Sequence, residues 1–288
     1  MSTELKNYVK KKEYLICVDS DGCAMDTMDI KHHQCFGPCM VEEWALDKWR
    51  EPVLERWNEI NLYSATRGIN RFKGLAIALR EIDSTYLHIE DIDVLERWVE
   101  ETNELSNSAL EKAIGTKDSI VLKKALSWSK SVNERINALP FEVKKPFPCT
   151  REGLAYAHEF ADIAIVSSAN LQAVKEEWEL HGILDSVDIL LAQNAGSKAY
   201  CIGEMLKKGY EKEKVLMIGD ASGDCDAAMK NDVFYYPILV RREKQSWKEF
   251  QKLALKKFVE GSYAGEYQQK KYQEFWDNLS SGRSNYVV

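Results

Sequence analysis

The chain has 288 residues, enough for two domains or for one large domain carrying an insertion. With 45% hydrophobic and 30% charged residues it can build a core, and its net charge of -7 argues against general nucleic-acid or membrane binding, both of which reward basic surfaces. No run of about twenty apolar residues reads as a spanning helix, the polar Met1 to Lys12 lacks the apolar stretch of a secretory signal, and seven scattered cysteines fit a reducing compartment, so the cytoplasm is the expected location.

The first predicted strand is the apolar run Tyr14-Leu-Ile-Cys-Val18, which opens directly onto Asp19-Ser20-Asp21-Gly22. In open α/β sheets ligands bind outside the carboxyl ends of the strands. Two carboxylates placed there repel each other, and a cation relieves the repulsion; Mg²⁺ takes one or two carboxylates plus substrate phosphate. Asp and Gly after a strand are also ordinary turn residues, so the pair does not stand alone as a site. An EF-hand reading fails: with Gly22 at the sixth loop position, Cys17 and Met28 fall where Asp and a bidentate Glu are required.

The next stretch, Thr27 to Lys145, is mostly helical in pattern. Trp44, Leu46, Trp49, Val53, Leu54 and Trp57 recur near helical spacing, and Phe72 to Leu79, Ile92 to Leu105 and Ile120 to Leu139 behave likewise. A bundle core accounts for these stripes. His32, His33, Cys35 and Cys39 bring soft ligand types together, but no second CxxC or HxxxH completes a zinc set, and local packing is the better account. In Ser64-Ala-Thr-Arg67-Gly-Ile-Asn70-Arg71, Gly68 marks a turn between helices. Arg67 and Arg71 there can either grip an anionic substrate group with their planar forks or pair with Glu59 or Glu81 as solvated turn residues.

Ile163-Ala-Ile-Val166 reads as a second strand ending in Ser167-Ser168-Ala169-Asn170, with a helix from Leu171 to Leu180; hydroxyls and backbone N–H groups then meet at a helix N-terminus, a ready anion site. Val187 to Ala192 reads as a third strand, followed by Gln193 to Lys198 and a helix from Ala199 to Lys208. Lys198 stands at a helix start, where its charge opposes the helix dipole. Val215 to Ile218 then runs into Gly219-Asp220-Ala-Ser-Gly-Asp224-Cys-Asp226 and a short helical pattern, which Asp224 or Asp226 can cap. After a last strand, Val233 to Tyr236 closed by Pro237, the segment Ser246 to Leu279 is helical. Trp247, Phe250, Leu253 and Phe258 form one apolar stripe there and Tyr272 and Trp276 another, which packing explains; Ser280 to Val288 reads as a loosely held tail.

This order of motifs resembles the haloacid dehalogenase superfamily, in its phosphatase branch with a helical cap inserted between motifs one and two, similar to beta-phosphoglucomutase and phosphoglycolate phosphatase. The match covers roughly Tyr14 to Asp26 and Pro146 to Pro237. The resemblance implies a doubly wound parallel α/β core over residues 1–26 and 146–288, and a cap over 27–145 that closes on the site and excludes water. It further implies Asp19 as nucleophile, Asp21 as general acid and base, Ser167, Ser168 and Lys198 as phosphate ligands, and Mg²⁺ held by Asp19, Asp21, Asp220 and Asp224. Arg67 and Arg71 fall in what looks like the substrate-specificity loop of the cap. The sequence departs from the family pattern at Cys23, where Thr commonly follows the Gly, and after Lys198, where a proline is often found.

The implied activity is Mg²⁺-dependent hydrolysis of a small phosphorylated metabolite through an aspartyl-phosphate. A second Asp at position 21 and a full acidic fourth motif favour phosphorus over carbon–halogen chemistry. A phosphomutase is the nearest rival. Phosphonate cleavage would need a cap lysine, for which Lys73 lies near the right loop in unmatched surroundings, and a non-catalytic binding or regulatory protein would not need the full residue set.

Overall fold

The computed structural model describes residues 3–281, so the tail expected to be loosely held lies, from Gly282 on, outside the described residues. Five short apolar runs form one parallel sheet: β1 (Tyr14–Val18), β4 (Ala161–Val166), β5 (Ile189–Leu191), β6 (Val215–Gly219) and β7 (Phe234–Pro237). Strands covered on both faces need no polar alternation. That is why β4 and β6 read as continuous apolar segments and are buried along their whole length. The order is β5-β4-β1-β6-β7, with Cys17 aligned on Ala164 on one side and on Met217 on the other. The chain therefore winds outward from β1 to β4 and β5, then returns to the opposite side for β6 and β7. Strand order reverses between β1 and β6, and it is at this reversal that the Asp19 and Asp220 loops emerge.

Two further strands, β2 (Met25–Asp26) and β3 (Lys145–Pro146), pair antiparallel. Contacts divide the chain into two compact units, one of the described residues up to Met28 and from Phe141 onward, the other Asp29–Pro140. The first is the α/β unit. Ile16, Val18, Ile163, Ile165, Leu216 and Ile218 pack with Trp178, Trp247 and Phe250 in its core.

The second unit is helical. Its longest elements are Arg50–Leu62, Arg71–Thr85 and Ile120–Ala138. Trp57, Phe72 and Trp128 are fully buried in its core, with the Trp57 and Trp128 rings edge to face at 5.9 Å. The indole N–H groups are satisfied as well: Trp57 donates to His32 Nδ1 at 3.1 Å and Trp128 to the Phe36 carbonyl at 3.1 Å. His32 is thus engaged by a tryptophan, Cys35 and Cys39 are buried in the same core, and His33 is exposed, so packing accounts for three of the four residues. Gly68, at φ 69°, makes the turn before the helix Arg71–Thr85, which Asn70 caps by accepting from the Phe72 N–H.

Several boundaries shift by a residue or more from the sequence expectation, and two of the shifts have a visible setting. The third strand begins at Ile189; just before it the Asp188 N–H bonds the Ile163 carbonyl at 2.8 Å, and the Asp188 carboxylate accepts the Ile163 N–H and Lys11 Nζ, both at 2.9 Å. The helix expected over Ser246 to Leu279 starts at Glu243, and glycines at positive φ break it. Gly261 and Gly265, at φ 72° and 83°, turn the chain between Val259 and Glu266.

Candidate active site

The first functional loop begins where β1 runs out of partners. The Asp19 N–H still bonds the Ile218 carbonyl of β6 at 3.0 Å, after which the chain turns around a single acceptor: the Ser20 carbonyl takes the N–H groups of Cys23, Ala24 and Met25 at 3.3, 3.0 and 2.8 Å. Gly22 supplies the left-handed step, at φ 82°. This winding points the Asp19 and Asp21 side chains into different surroundings. Asp19 is buried, whereas Asp21 is half-buried and its Oδ1 accepts from the buried Thr27 hydroxyl at 2.6 Å.

Asp220 follows β6 directly, and Asp224 lies one turn into the helix Ser222–Lys230. Asp224 does two things. Its Oδ2 accepts the Ala221 N–H at 3.2 Å and so caps the helix, while its Oδ1 receives Lys198 Nζ at 2.5 Å. Asp226 is exposed. Asp19, Asp220 and Asp224, all buried, offer one oxygen each within 4.8 Å of one another, the one such grouping of metal-ligand types among the described residues.

Lys198 opens the helix Lys198–Leu206 and reaches both sides of this group, lying 2.9 Å from Asp19 Oδ2 and 2.5 Å from Asp224 Oδ1. Burial works against its charge, and Asp19 with Asp224 more than reverses that, so the ammonium is held above the ordinary lysine value. Burial also pushes the Asp19 carboxyl up; Lys198 draws it down and Asp224 raises it again, leaving it at about 7. Asp224 is likewise raised, by burial first, with Lys198 opposing and Asp220 adding to the rise. One ammonium thus faces three buried carboxylates. A hard dication with oxygen preference fits that deficit of positive charge and that donor set.

The remaining expected residues lie in varied settings. Ser167, at the end of β4, is buried and its Oγ accepts the Ala169 N–H at 3.2 Å; Ser168 is exposed. Within the helical unit, Arg67 donates to the Leu62 carbonyl at 2.7 Å. Arg71 reaches Ser129 Oγ at 3.1 Å and Asn133 Oδ1 at 2.7 Å, with its guanidinium 5.0 Å over the Phe36 ring. Glu59 and Glu81, the alternative partners read from the sequence for these arginines, are bound by Arg56 instead. Lys73 is exposed on the helix Arg71–Thr85.

Sequence reasoning missed Thr27, Trp178 and the close approach of Asp224 to Gly219. Thr27 stands six residues from Asp21 and meets it only because the loop doubles back; Trp178, donating to Ser20 Oγ at 2.9 Å, looked like one more helix-stripe residue. Gly219 carried a usable signal in its place just before Asp220. A Cβ there would lie 2.3 Å from both Asp224 Cβ and Cγ, closer than atoms tolerate. Gly219→Ala is therefore expected to destabilise the protein by about 2 kcal/mol in urea unfolding and to weaken divalent-cation binding, because Asp224 must move.

The sequence matches the family model described as haloacid dehalogenase-like hydrolase over residues 82–236, just over half of the chain. No curated protein shows significant similarity. Among solved structures, a protein assigned by name as a phosphoglycolate phosphatase from Lactobacillus delbrueckii subsp. bulgaricus is 14% identical, with 88% of this chain and 100% of that chain covered at a TM-score of 0.50. A protein assigned by name as a beta-phosphoglucomutase from Thermotoga maritima is 13% identical, covering 86% of this chain and 97% of that one at a TM-score of 0.47. A haloacid dehalogenase-like hydrolase from Streptococcus pneumoniae is 14% identical, with 83% and 90% covered at a TM-score of 0.47. At 14% identity, the likeness with a TM-score of 0.50 speaks for the fold alone. With the family match, the parallel sheet and the carboxylates at its strand-order reversal, the chain belongs to the haloacid dehalogenase-like hydrolases.

Proposed function

We propose that the protein is a Mg²⁺-dependent phosphatase that hydrolyses a small phosphorylated metabolite through an aspartyl-phosphate on Asp19. The observation that carries this reading is Lys198 bridging two of three buried carboxylates at the carboxyl ends of β1 and β6. An Asp19 oxygen attacks phosphorus, the bond from phosphorus to the leaving oxygen breaks, and Asp21 delivers the proton that oxygen needs. Water then attacks the phosphorus of the acyl phosphate while Asp21 takes its proton, releasing inorganic phosphate and restoring both carboxyl groups. The Thr27 hydroxyl holds the Asp21 carboxylate in one orientation through both halves. Ser167 and Lys198 would hold the phosphoryl oxygens, and Asp19, Asp220 and Asp224 would hold the cation, together with the Asp21 carbonyl. When bound, Mg²⁺ would neutralise charge developing on those oxygens. Selection among substrates would fall to the helical unit, with Arg67 and Arg71 the proposed determinants.

The test is release of phosphate from an aryl phosphate and from a panel of sugar phosphates, nucleotides and phosphoglycolate. Turnover should require Mg²⁺, vanish with EDTA and return on adding Mg²⁺; metal-independent turnover, or none on any ester, contradicts the reading. Isomer formation from a sugar phosphate would instead favour a mutase. Because burial holds Asp19 at about 7, a proton competes with the cation near neutrality. Mg²⁺ should therefore bind more tightly as pH rises from 6 to 8, about tenfold per unit below the Asp19 value, with proton release in titration calorimetry. An affinity indifferent to pH over that range would contradict the carboxylate assignment.

A further inference from the structure

The Asp19–Met25 loop lies beyond the sheet: its Gly22, Cys23, Ala24 and Met25 N–H groups bond within the loop to the Ser20 and Met25 carbonyls, and the Ala24 carbonyl accepts the Phe147 N–H at 3.0 Å. Two buried indoles hold it from outside. Trp178 donates to Ser20 Oγ at 2.9 Å, and Trp247 donates to the Cys23 carbonyl at 3.0 Å from 224 residues away. Trp247 is fully buried, packs edge to face on Phe250 at 5.6 Å, and lies over Gly153, where a Cβ would come 3.1 Å from its ring.

The segment that carries Trp247 is itself fixed to the sheet. The Tyr236 hydroxyl donates to the Ser246 carbonyl at 2.7 Å, Ser246 Oγ accepts the Leu239 N–H at 3.0 Å, and the Tyr263 hydroxyl donates to the Tyr235 carbonyl at 2.7 Å. Farther on, Asn278 exchanges bonds with the Val240 backbone at 2.9 and 3.2 Å, and buried Lys271 binds Glu249 and Glu274 at 2.5 and 2.6 Å. Strand β7, which carries Tyr235 and Tyr236, pairs with β6, the strand that delivers Asp220. The C-terminal segment is thus tied both to the strand beside Asp220 and, through one indole N–H, to the loop that carries Asp19 and Asp21.

We propose that Trp247 is a positioning residue, and that the C-terminal helical segment acts through it to hold the Asp19–Met25 loop in register with the Asp220 and Asp224 carboxylates. The proposal rests on the reading of Asp19 and Asp21 as the reacting groups. Its physical basis is that a buried carbonyl deprived of its donor either stays unsatisfied or turns to find another, and either response shifts a loop whose neighbouring carboxylates must meet phosphorus and proton within a fraction of an ångström.

Trp247→Phe keeps an aromatic ring and removes the N–H. The result expected is a kcat for aryl phosphate lowered about tenfold with KM within about twofold, together with faster hydrogen exchange in peptides spanning residues 19–25. Gly153→Ala, which presses on the indole without deleting it, should move both readouts in the same direction by less, and stands in if the Phe variant does not fold. Tyr8→Phe, which removes a buried hydroxyl pair with Tyr210, serves as the control: it should lower the melting temperature while leaving kcat and loop exchange unchanged. Loop exchange identical to that of the unaltered protein overturns the proposal, and so does faster exchange with kcat unchanged. If the unaltered protein turns over no phosphate ester, the catalytic reading falls and takes the positioning role with it, a result distinct from an active protein indifferent to Trp247→Phe.

Discussion

Replacing Asp19 by Asn should lower Mg²⁺-dependent phosphate release by about 10⁵-fold, the scale on which loss of a covalent nucleophile is felt. The substitution keeps size and shape and removes the attacking oxygen's charge, so the loss should fall on kcat. It should not fall on folding, and the sign follows from the raised carboxyl. Asp19 titrates at about 7 in the folded chain against about 4 when unfolded, so the folded state holds the extra proton between those values and loses that advantage as pH rises through them. At pH 8 the ionised Asp19 is therefore a burden on the metal-free fold, and Asp19→Asn removes it. Thermal unfolding at pH 8 without metal should give a melting temperature equal to or above that of the unaltered protein. A variant with wild-type kcat would remove Asp19 from the chemistry; one that unfolds would make the residue a structural member of the cluster.

Lys198→Met should affect stability and activity together. Lys198 Nζ lies within 2.9 Å of Asp19 and 2.5 Å of Asp224, and a buried ion pair broken on one side leaves charge without compensation, at a cost of about 3 kcal/mol. The metal-free variant should lose about that much at pH 8 and recover much of it on Mg²⁺ addition, since a cation can replace the missing ammonium. The pH dependence separates this from a plain packing defect. Without Lys198 the folded carboxyl values rise further above the unfolded ones, so the variant should regain stability as pH falls from 8 towards 5, where the carboxyls protonate. Denaturant unfolding at several pH values, with and without Mg²⁺, reads this directly. Turnover should fall about 10³-fold even with saturating Mg²⁺, because the phosphoryl oxygens lose a fixed donor. A variant equally destabilised at pH 5 and pH 8 would contradict the charge balance described above.

The strands were legible because each is an apolar run that opens onto polar residues: Val18 onto Asp19, Val166 onto Ser167, and Ile218 with Gly219 onto Asp220. The helical unit was legible from its tryptophan stripe, since Trp44, Val53 and Trp57 face its core at the spacing read from the chain. What remained hidden depended on contacts far apart in sequence. Nothing local marks Trp178 or Trp247 as donors to the first loop, because the same residues at the same spacing also read as ordinary helix faces. The loop that brings Thr27 onto Asp21 follows from three N–H groups sharing the Ser20 carbonyl, a winding with no compositional signature beyond Gly22. Arg67 and Arg71 could be placed beside a turn from Gly68. Their partners, the Leu62 carbonyl for one and Ser129 and Asn133 for the other, came from helix packing that the spacing does not encode.

The most direct measurement of the central claim is chemical trapping of the covalent intermediate during turnover. Acid quenching of the Mg²⁺-loaded protein with an aryl phosphate, followed by borohydride reduction and peptide mass mapping, should convert Asp19 alone to homoserine, since only an acyl phosphate is reduced under those conditions. Homoserine at another carboxylate, or none at all while phosphate is being released, would contradict Asp19 as the nucleophile.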